Sequence, residues 1–196
     1  MFEMLDQVLA DAAAHLTRAA QSRKSPMHVP VVGTADGDLR MMVLRACDPD
    51  LGLLRFHTDA RSPKAALVGE QGLASVLAFD PAAKVQLRLR GPARIETAGP
   101  VADAAWAAST AFARRCYLAV KAPGSPAAGP GSGLPPEVEG ICPDEDQLLP
   151  ARENFAVLLI APTSLDWLYL AHDGHRRAQF TRPAPGQNWQ GTWVIP

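Results

Sequence analysis

Residues 84–91, KVQLRLRG, alternate without a break: Lys84, Gln86, Arg88 and Arg90 fall on one side, and Val85, Leu87 and Leu89 on the other. A period of two marks a strand with one wet face and one buried face, and a helix cannot satisfy it. Around this strand lie more short apolar runs bounded by turn signals. HVPVVG (28–33), LRMMVLRA (39–46) and LGLLRFHT (51–58) are separated by ADGD (35–38) and DPD (48–50), the pattern of an antiparallel meander. LASVLAF (73–79), NFAVLLIA (154–161) and SLDWLYLA (164–171) read as further strands, followed by GHRRAQFTR (174–182) and a Trp-containing tail. Six or seven strands with scattered helices suggest a mainly β, α+β chain, built as a closed or split antiparallel barrel. An open sandwich fits the same pattern.

Residues 2–20 carry Phe2, Leu5, Val8, Leu9 and Leu16 near helical spacing, which predicts an amphipathic N-terminal helix. PKAALVG (63–69) predicts a short helix with Gly69 as its stop. A third, alanine-rich helix is expected from Gly99-Pro100 to about Val120. Residues 121–143 hold six prolines and five glycines, a composition that predicts a long surface loop. At 196 residues with no repeat, the chain is expected to form one domain, 1–196.

Charge narrows the function classes. Nineteen basic residues oppose twenty acidic ones, which argues against a protein that coats nucleic acid. Cys47, Cys116 and Cys142 are far apart and form no CxxC, so neither a disulfide framework nor a metal site is expected. The N-terminus has acidic residues from its third position and no signal-peptide core, and no run approaches the roughly 18 apolar residues of a membrane helix. The expectation is a reduced cytoplasmic protein, away from membranes.

The chemistry gathers at strand ends and turns. In FHTDARSPK (56–64), Phe56-His57 closes a strand and Thr58-Asp59 turns the chain. Ser62 suits an N-cap and Pro63 the first helical position, with Arg61 and Lys64 alongside. Cations at a helix start are favourable only when an anion receives them. Arg40 and Arg45 flank MMVL, and Gln86 lies on the polar face of its strand with Arg88 beside it. If these strands are neighbours, the hydroxyls, guanidinium forks and ammonium suit a phosphate monoester. The plainer alternative is a set of solvated arginines and a capped turn. Parity adds a constraint: Arg40 and Arg45 are odd-spaced, so at least one must sit at a bend.

The ordered set RMMVLR, FHTDARSPK, KVQLRLRG resembles the FMN-binding region of the pyridoxamine 5′-phosphate oxidase-like family, the flavin-binding split barrels. Pro-Gly-Ser (123–125), Asn-Phe (154–155), Leu-Asp-Trp-Leu (165–168) and a terminal Arg-Arg follow in the same order. The resemblance implies an antiparallel split β-barrel with flanking helices, FMN as cofactor, and a homodimer with FMN at its interface. By resemblance, the stretch Arg40, Met41, Met42, Val43, Leu44 and Arg45 would line the flavin and its phosphate. His57 and Thr58 would sit on the ribityl-phosphate side, Ser62 and Lys64 would grip the phosphate with Arg61 close by, and Gln86 would bond the flavin. Ser125 and Arg176 or Arg177 would close the site from the second subunit.

Departures bear on the substrate. Where the true oxidases carry a Tyr and an Arg on the helix after the Gln strand, this chain has DAAWAASTAFARRC, and near its C-terminus HRRAQF replaces Arg-x-His. The expectation is the broader branch: an FMN-dependent oxidoreductase on an unassigned small substrate, with no catalytic acid or base named. The alternative is a flavin carrier, sensor or stress protein without turnover. A barrel module for another phosphorylated ligand or a partner protein remains a third reading.

Overall fold

The computed structural model describes residues 3–69 and 72–196, so Phe2 of the first helix lies outside the described residues. Ten strands are described: β1 (Val31–Thr34), β2 (Leu39–Met41), β3 (Leu44–Cys47), β4 (Leu54–Asp59), β5 (Gly72–Asp80), β6 (Val85–Glu96), β7 (Phe155–Ile160), β8 (Ser164–Tyr169), β9 (Arg176–Thr181) and β10 (Gln190–Val194). They pair in the order β10-β9-β8-β6-β5-β1-β2, antiparallel throughout. Off that path β3 pairs with β4, and β7 pairs with β4 and β6. Six α-helices are described: α1 (Leu5–Gln21), α2 (Pro63–Val68), α3 (Pro100–Ala107), α4 (Ala111–Arg114), α5 (Glu145–Leu148) and α6 (Ala151–Asn154). This is the antiparallel sheet with flanking helices that the alternation calls for.

The chain forms two compact units: Met1–Phe56, Glu70–Arg94 and Leu159–Pro196 in the first, His57–Gly69 and Ile95–Leu158 in the second. In the first unit α1 buries Val8, Ala12, Leu16 and Ala19, a stripe at helical spacing. The inward face of its sheet buries Val32, Val76, Leu87, Leu89 and Trp167. A fully buried Leu is worth about 1.5–3 kcal/mol over an exposed one, so this face supplies much of the unit's stability. Trp167 is a packing residue, its Nε1 donating to Asp11 Oδ2 at 3.1 Å. The Trp tail becomes β10, preceded by Trp189, which lies 4.3 Å from the buried Arg182 guanidinium and donates to the Asp50 carbonyl. In the second unit Phe155 is fully buried against Trp106 and Tyr117, at centroid distances of 5.3 and 5.1 Å.

Several element boundaries differ from expectation, each for a local reason. The strand expected over 28–33 starts only at Val31, because Pro26–His28 forms a 3₁₀ turn and Pro30 has no N–H to give a ladder. The strand expected over 39–46 breaks after Met41. The helix expected to reach Val120 stops at Ala107 and restarts as α4, where Thr110 Oγ1 accepts from Ala113 N–H at 3.2 Å and makes a new N-cap. α2 ends where expected, at Gly69 with φ of 48°. Residues 121–143 contain no helix or strand, as their composition predicts. Just beyond them α5 is set by an Asp144–Gln147 capping box, a signal the sequence reading passed over.

None of the three cysteines is in a disulfide, and Cys116 and Cys142 are exposed. Burial pushes the Cys47 thiol up to about 12. A thiol-reactive dye should therefore label Cys116 and Cys142 quickly in the native protein and the half-buried Cys47 more slowly; three equal fast phases would contradict the raised Cys47 pKa. Because its folded pKa lies above the ordinary value of about 8.5, the protonated thiol supports the fold below that pH, and this support is lost as pH rises towards 12.

Candidate functional site

In the second unit the turn from β4 into α2 is closed by Asp59. Its carboxylate accepts the Arg61 backbone N–H at 2.8 Å, Arg61 Nε at 3.0 Å and Arg61 Nη2 at 2.7 Å. Arg61 Nη1 donates to the Ala119 carbonyl at 2.9 Å. The Asp59 hydrogen bonds raise the Arg61 pKa against the opposing effect of burial. Arg61 thus braces the turn, with its fork directed at protein oxygens.

Ser62 is the N-cap of α2, yet its side chain caps no helix amide. Its hydroxyl, on a residue only 1% exposed, instead donates to the Asp59 carbonyl at 2.7 Å. Thr58 Oγ1 lies 3.4 Å from Ser62 Oγ, and Lys64 Nζ donates to the same oxygen at 3.3 Å. The structure therefore brings Thr58, Ser62 and Lys64 together as two hydroxyls and an ammonium, three of the five residues expected there. The His57 ring packs edge-on to Phe155, with centroids 5.0 Å apart and planes at 79°, so it is part of the aromatic floor of this unit. Ser125 is exposed in the loop, its N–H bonded to the Ala122 carbonyl at 3.1 Å. The loop passes the start of α2 within the same chain, since a Cβ on Gly124 would lie 3.8 Å from Pro63 Cγ.

In the first unit the stretch 40–45 resolves its parity conflict twice. The chain leaves the ladder at Met42–Val43, between β2 and β3, and Arg45 occupies a register shift in the β3–β4 pair. Met42 and Leu44 are buried, Val43 is half-buried, and Met41 and Arg45 are exposed. Arg40 donates to Thr34 Oγ1 at 3.0 Å and to the Val32 carbonyl at 3.3 Å, and it is ion-paired to Asp38. By register Arg40 sits in the row of Val32, Val76 and Leu89, on the opposite sheet face from Gln86.

Gln86 and Arg177 share a row on the outward face, on either side of Leu168. The next row holds Arg88, Asp166 and Gln179, and the third Arg90, Ser164 and Thr181. Asp166 accepts from Arg88 Nη2 at 2.8 Å, Arg177 Nε at 3.0 Å, Arg177 Nη2 at 2.7 Å and Gln179 Nε2 at 2.8 Å. Burial pushes the Asp166 carboxyl up, but hydrogen bonds from Arg177 and Gln179 and the charges of Arg88 and Arg177 outweigh it and hold the group below its usual range. Asp166 and Gln179 were not foreseen as site residues. The signal was there: each is polar in a strand whose neighbours at i±1 are apolar or small, so both share Arg88's parity.

No group of three or more metal-ligating side chains occurs among the described residues, and no helix among them is long and apolar enough to cross a membrane.

No family model and no curated protein matches the sequence; the likenesses are structural. A pyridoxamine 5′-phosphate oxidase-related, FMN-binding protein from Nostoc punctiforme PCC 73102 is 25% identical, with 95% of this chain and 96% of that one covered at a TM-score of 0.66. PhzG from Burkholderia lata 383, solved with tetrahydrophenazine-1-carboxylic acid, is 19% identical over 98% of this chain and 90% of its own, at a TM-score of 0.64. A general stress FMN/FAD-binding protein from Xanthomonas citri is 12% identical over 85% and 92%, at 0.54. The structural neighbours of this chain are thus pyridoxamine 5′-phosphate oxidase-related FMN-binding proteins and general stress proteins, the broader branch of the split-barrel family that its sequence resembles.

Proposed function

We propose that this chain is a cytoplasmic FMN-dependent oxidoreductase acting on a small substrate. The observation that carries the reading is the convergence of Thr58 Oγ1 and Lys64 Nζ on the Ser62 hydroxyl at the β4–α2 turn. A cap serine that caps no amide, flanked by a second hydroxyl and an ammonium, is the donor set a phosphate monoester takes.

FMN, when bound, supplies the hydride or electron transfer. The chain's residues would do the positioning: Ser62, Lys64 and Thr58 would hold the phosphate by donating hydrogen bonds to it, while Asp59 and Arg61 keep the turn closed. We further propose a homodimer with FMN at the interface. Its support is the outward sheet face, where Leu39, Met41 and Leu73 are 66%, 69% and 62% exposed and Leu77 and Phe79 stand beside them. Exposed apolar side chains gathered on one face support a partner surface there.

The test is the visible spectrum and mass of purified protein after FMN is added and the excess removed by gel filtration. Retained flavin bands at about twice 20.9 kDa are expected. A folded, colourless protein would remove the flavin reading, and a flavin-loaded 20.9 kDa species would remove the dimer. Retained flavin that NAD(P)H fails to bleach anaerobically, and that no acceptor reoxidises after chemical reduction, would make the protein a carrier.

A further inference from the structure

We propose that the concavity on the outward face of β6, β8 and β9 is an oxyanion-binding site for a small molecule carrying a carboxylate or a phosphate. The concavity shares Arg177 with the expected flavin site, but the proposal stands on the residues of this face and not on flavin binding. The concavity has a volume of about 300 Å³, the lower end of the ligand-pocket range, and Arg88, Arg90, Asp166, Arg177, Gln179 and Thr181 are among its walls.

Charge balance is the first argument. Three guanidiniums and a single carboxylate line the concavity in a chain whose net charge is −1, so this small region carries a local excess of two positive charges. Asp166 uses Nη2 of Arg88 and Nε and Nη2 of Arg177, together with the Gln179 amide. It therefore fixes two forks in place, and Nη1 of neither takes part in these bonds. Arg88 Nε is buried with no hydrogen-bond partner, the kind of group that an ordered ion or water normally satisfies. Arg90, one row on, makes no ion pair among the described residues.

Register is the second argument. Arg90, Ser164 and Thr181 are direct cross-strand neighbours, so two hydroxyls lie beside the uncommitted guanidinium. Guanidinium forks flanked by hydroxyl donors recognise planar or tetrahedral oxyanions. Asp166 supplies the selectivity, since its charge repels an anion that penetrates to its row and confines binding to the Arg90 side. Pocket size and the chain's near-neutral charge exclude a polyanion such as nucleic acid.

The experiment is a backbone amide NMR titration of the purified protein with inorganic phosphate and, separately, with acetate, at constant ionic strength. Saturable shifts are expected in residues 88–90, 164–166 and 177–181. Arg90→Ala and Arg88→Ala should each weaken the apparent affinity at least five-fold, and Arg90→Ala, at an exposed position, should leave the remaining spectrum unchanged. Saturation by phosphate alone assigns a phosphate monoester, by acetate alone a carboxylate, and by both a site that reads charge. Shifts that never saturate there with either probe, or affinities untouched by both substitutions, would overturn the proposal. Flavin bands recorded on the same samples report the flavin reading separately.

Discussion

Replacing Lys64 by alanine is expected to weaken FMN binding by about 1.5–3 kcal/mol, roughly ten- to 150-fold in Kd, the range for a hydrogen bond to a charged group. The native fold should persist, because Lys64 is half-buried at the start of a short helix and its Nζ reaches Ser62 Oγ at 3.3 Å without joining the core. The contrast with Arg61→Ala is what makes the test sharp. Arg61 Nε and Nη2 bind Asp59 and its Nη1 binds the Ala119 carbonyl, so its loss opens the turn and frees the 119–125 segment. That change should appear chiefly as a lower thermal midpoint, with a smaller effect on Kd. Fluorescence titration of FMN against both variants decides the matter. An unchanged Kd in Lys64→Ala, or a larger loss in Arg61→Ala, would reassign the phosphate contact.

The turn itself was legible because its determinants are local. A strand end, an Asp that accepts from the backbone two residues on, a Ser-Pro helix opening and a Gly stop all act within a dozen residues, and the structure shows each of them. Faces were legible too, since parity is a sequence property: Gln86, Arg88 and Arg90 all stand outward, as their alternation requires. What sequence could not supply was the partner of each polar group. Arg40 and Arg61 read in sequence as cations near the expected phosphate, and the structure shows each ion-paired to an aspartate two residues away, Asp38 and Asp59. Asp166 meets Arg88 across 78 positions of sequence, and only the β6–β8 register makes them neighbours. The long alanine-rich helix failed for a different reason. High helix propensity predicts continuation, but a Ser109-Thr110 step offers the chain side-chain hydrogen bonds that end one helix and start another.

Gly91→Ala should destabilise the protein by about 3 kcal/mol or more, a larger effect on stability than any site variant. The KVQLRLRG strand does not end at its glycine, as its sequence suggests; β6 runs through Gly91 to Glu96. A Cβ at this position would lie 2.1 Å from the Ala161 carbonyl oxygen and 2.8 Å from Pro162 Cα, and both obstacles are backbone. The crossing segment cannot simply retreat. Ala161 N–H donates to the Pro92 carbonyl at 2.9 Å and Thr163 N–H to the Arg90 carbonyl at 2.8 Å, so hydrogen bonds pin it on both sides of Gly91. Relieving the clash means breaking these bonds, at about 0.5–1.5 kcal/mol each, on top of the roughly 1–3 kcal/mol that overpacking a core position costs. Gly129→Ala is the control: nothing lies within 4 Å of a Cβ there and its φ is not positive, so its denaturation midpoint should match the parent. Chemical denaturation of the two variants measures the difference directly. Equal midpoints would mean that segment 161–163 is not held against β6, and the strand's glycine would need another explanation.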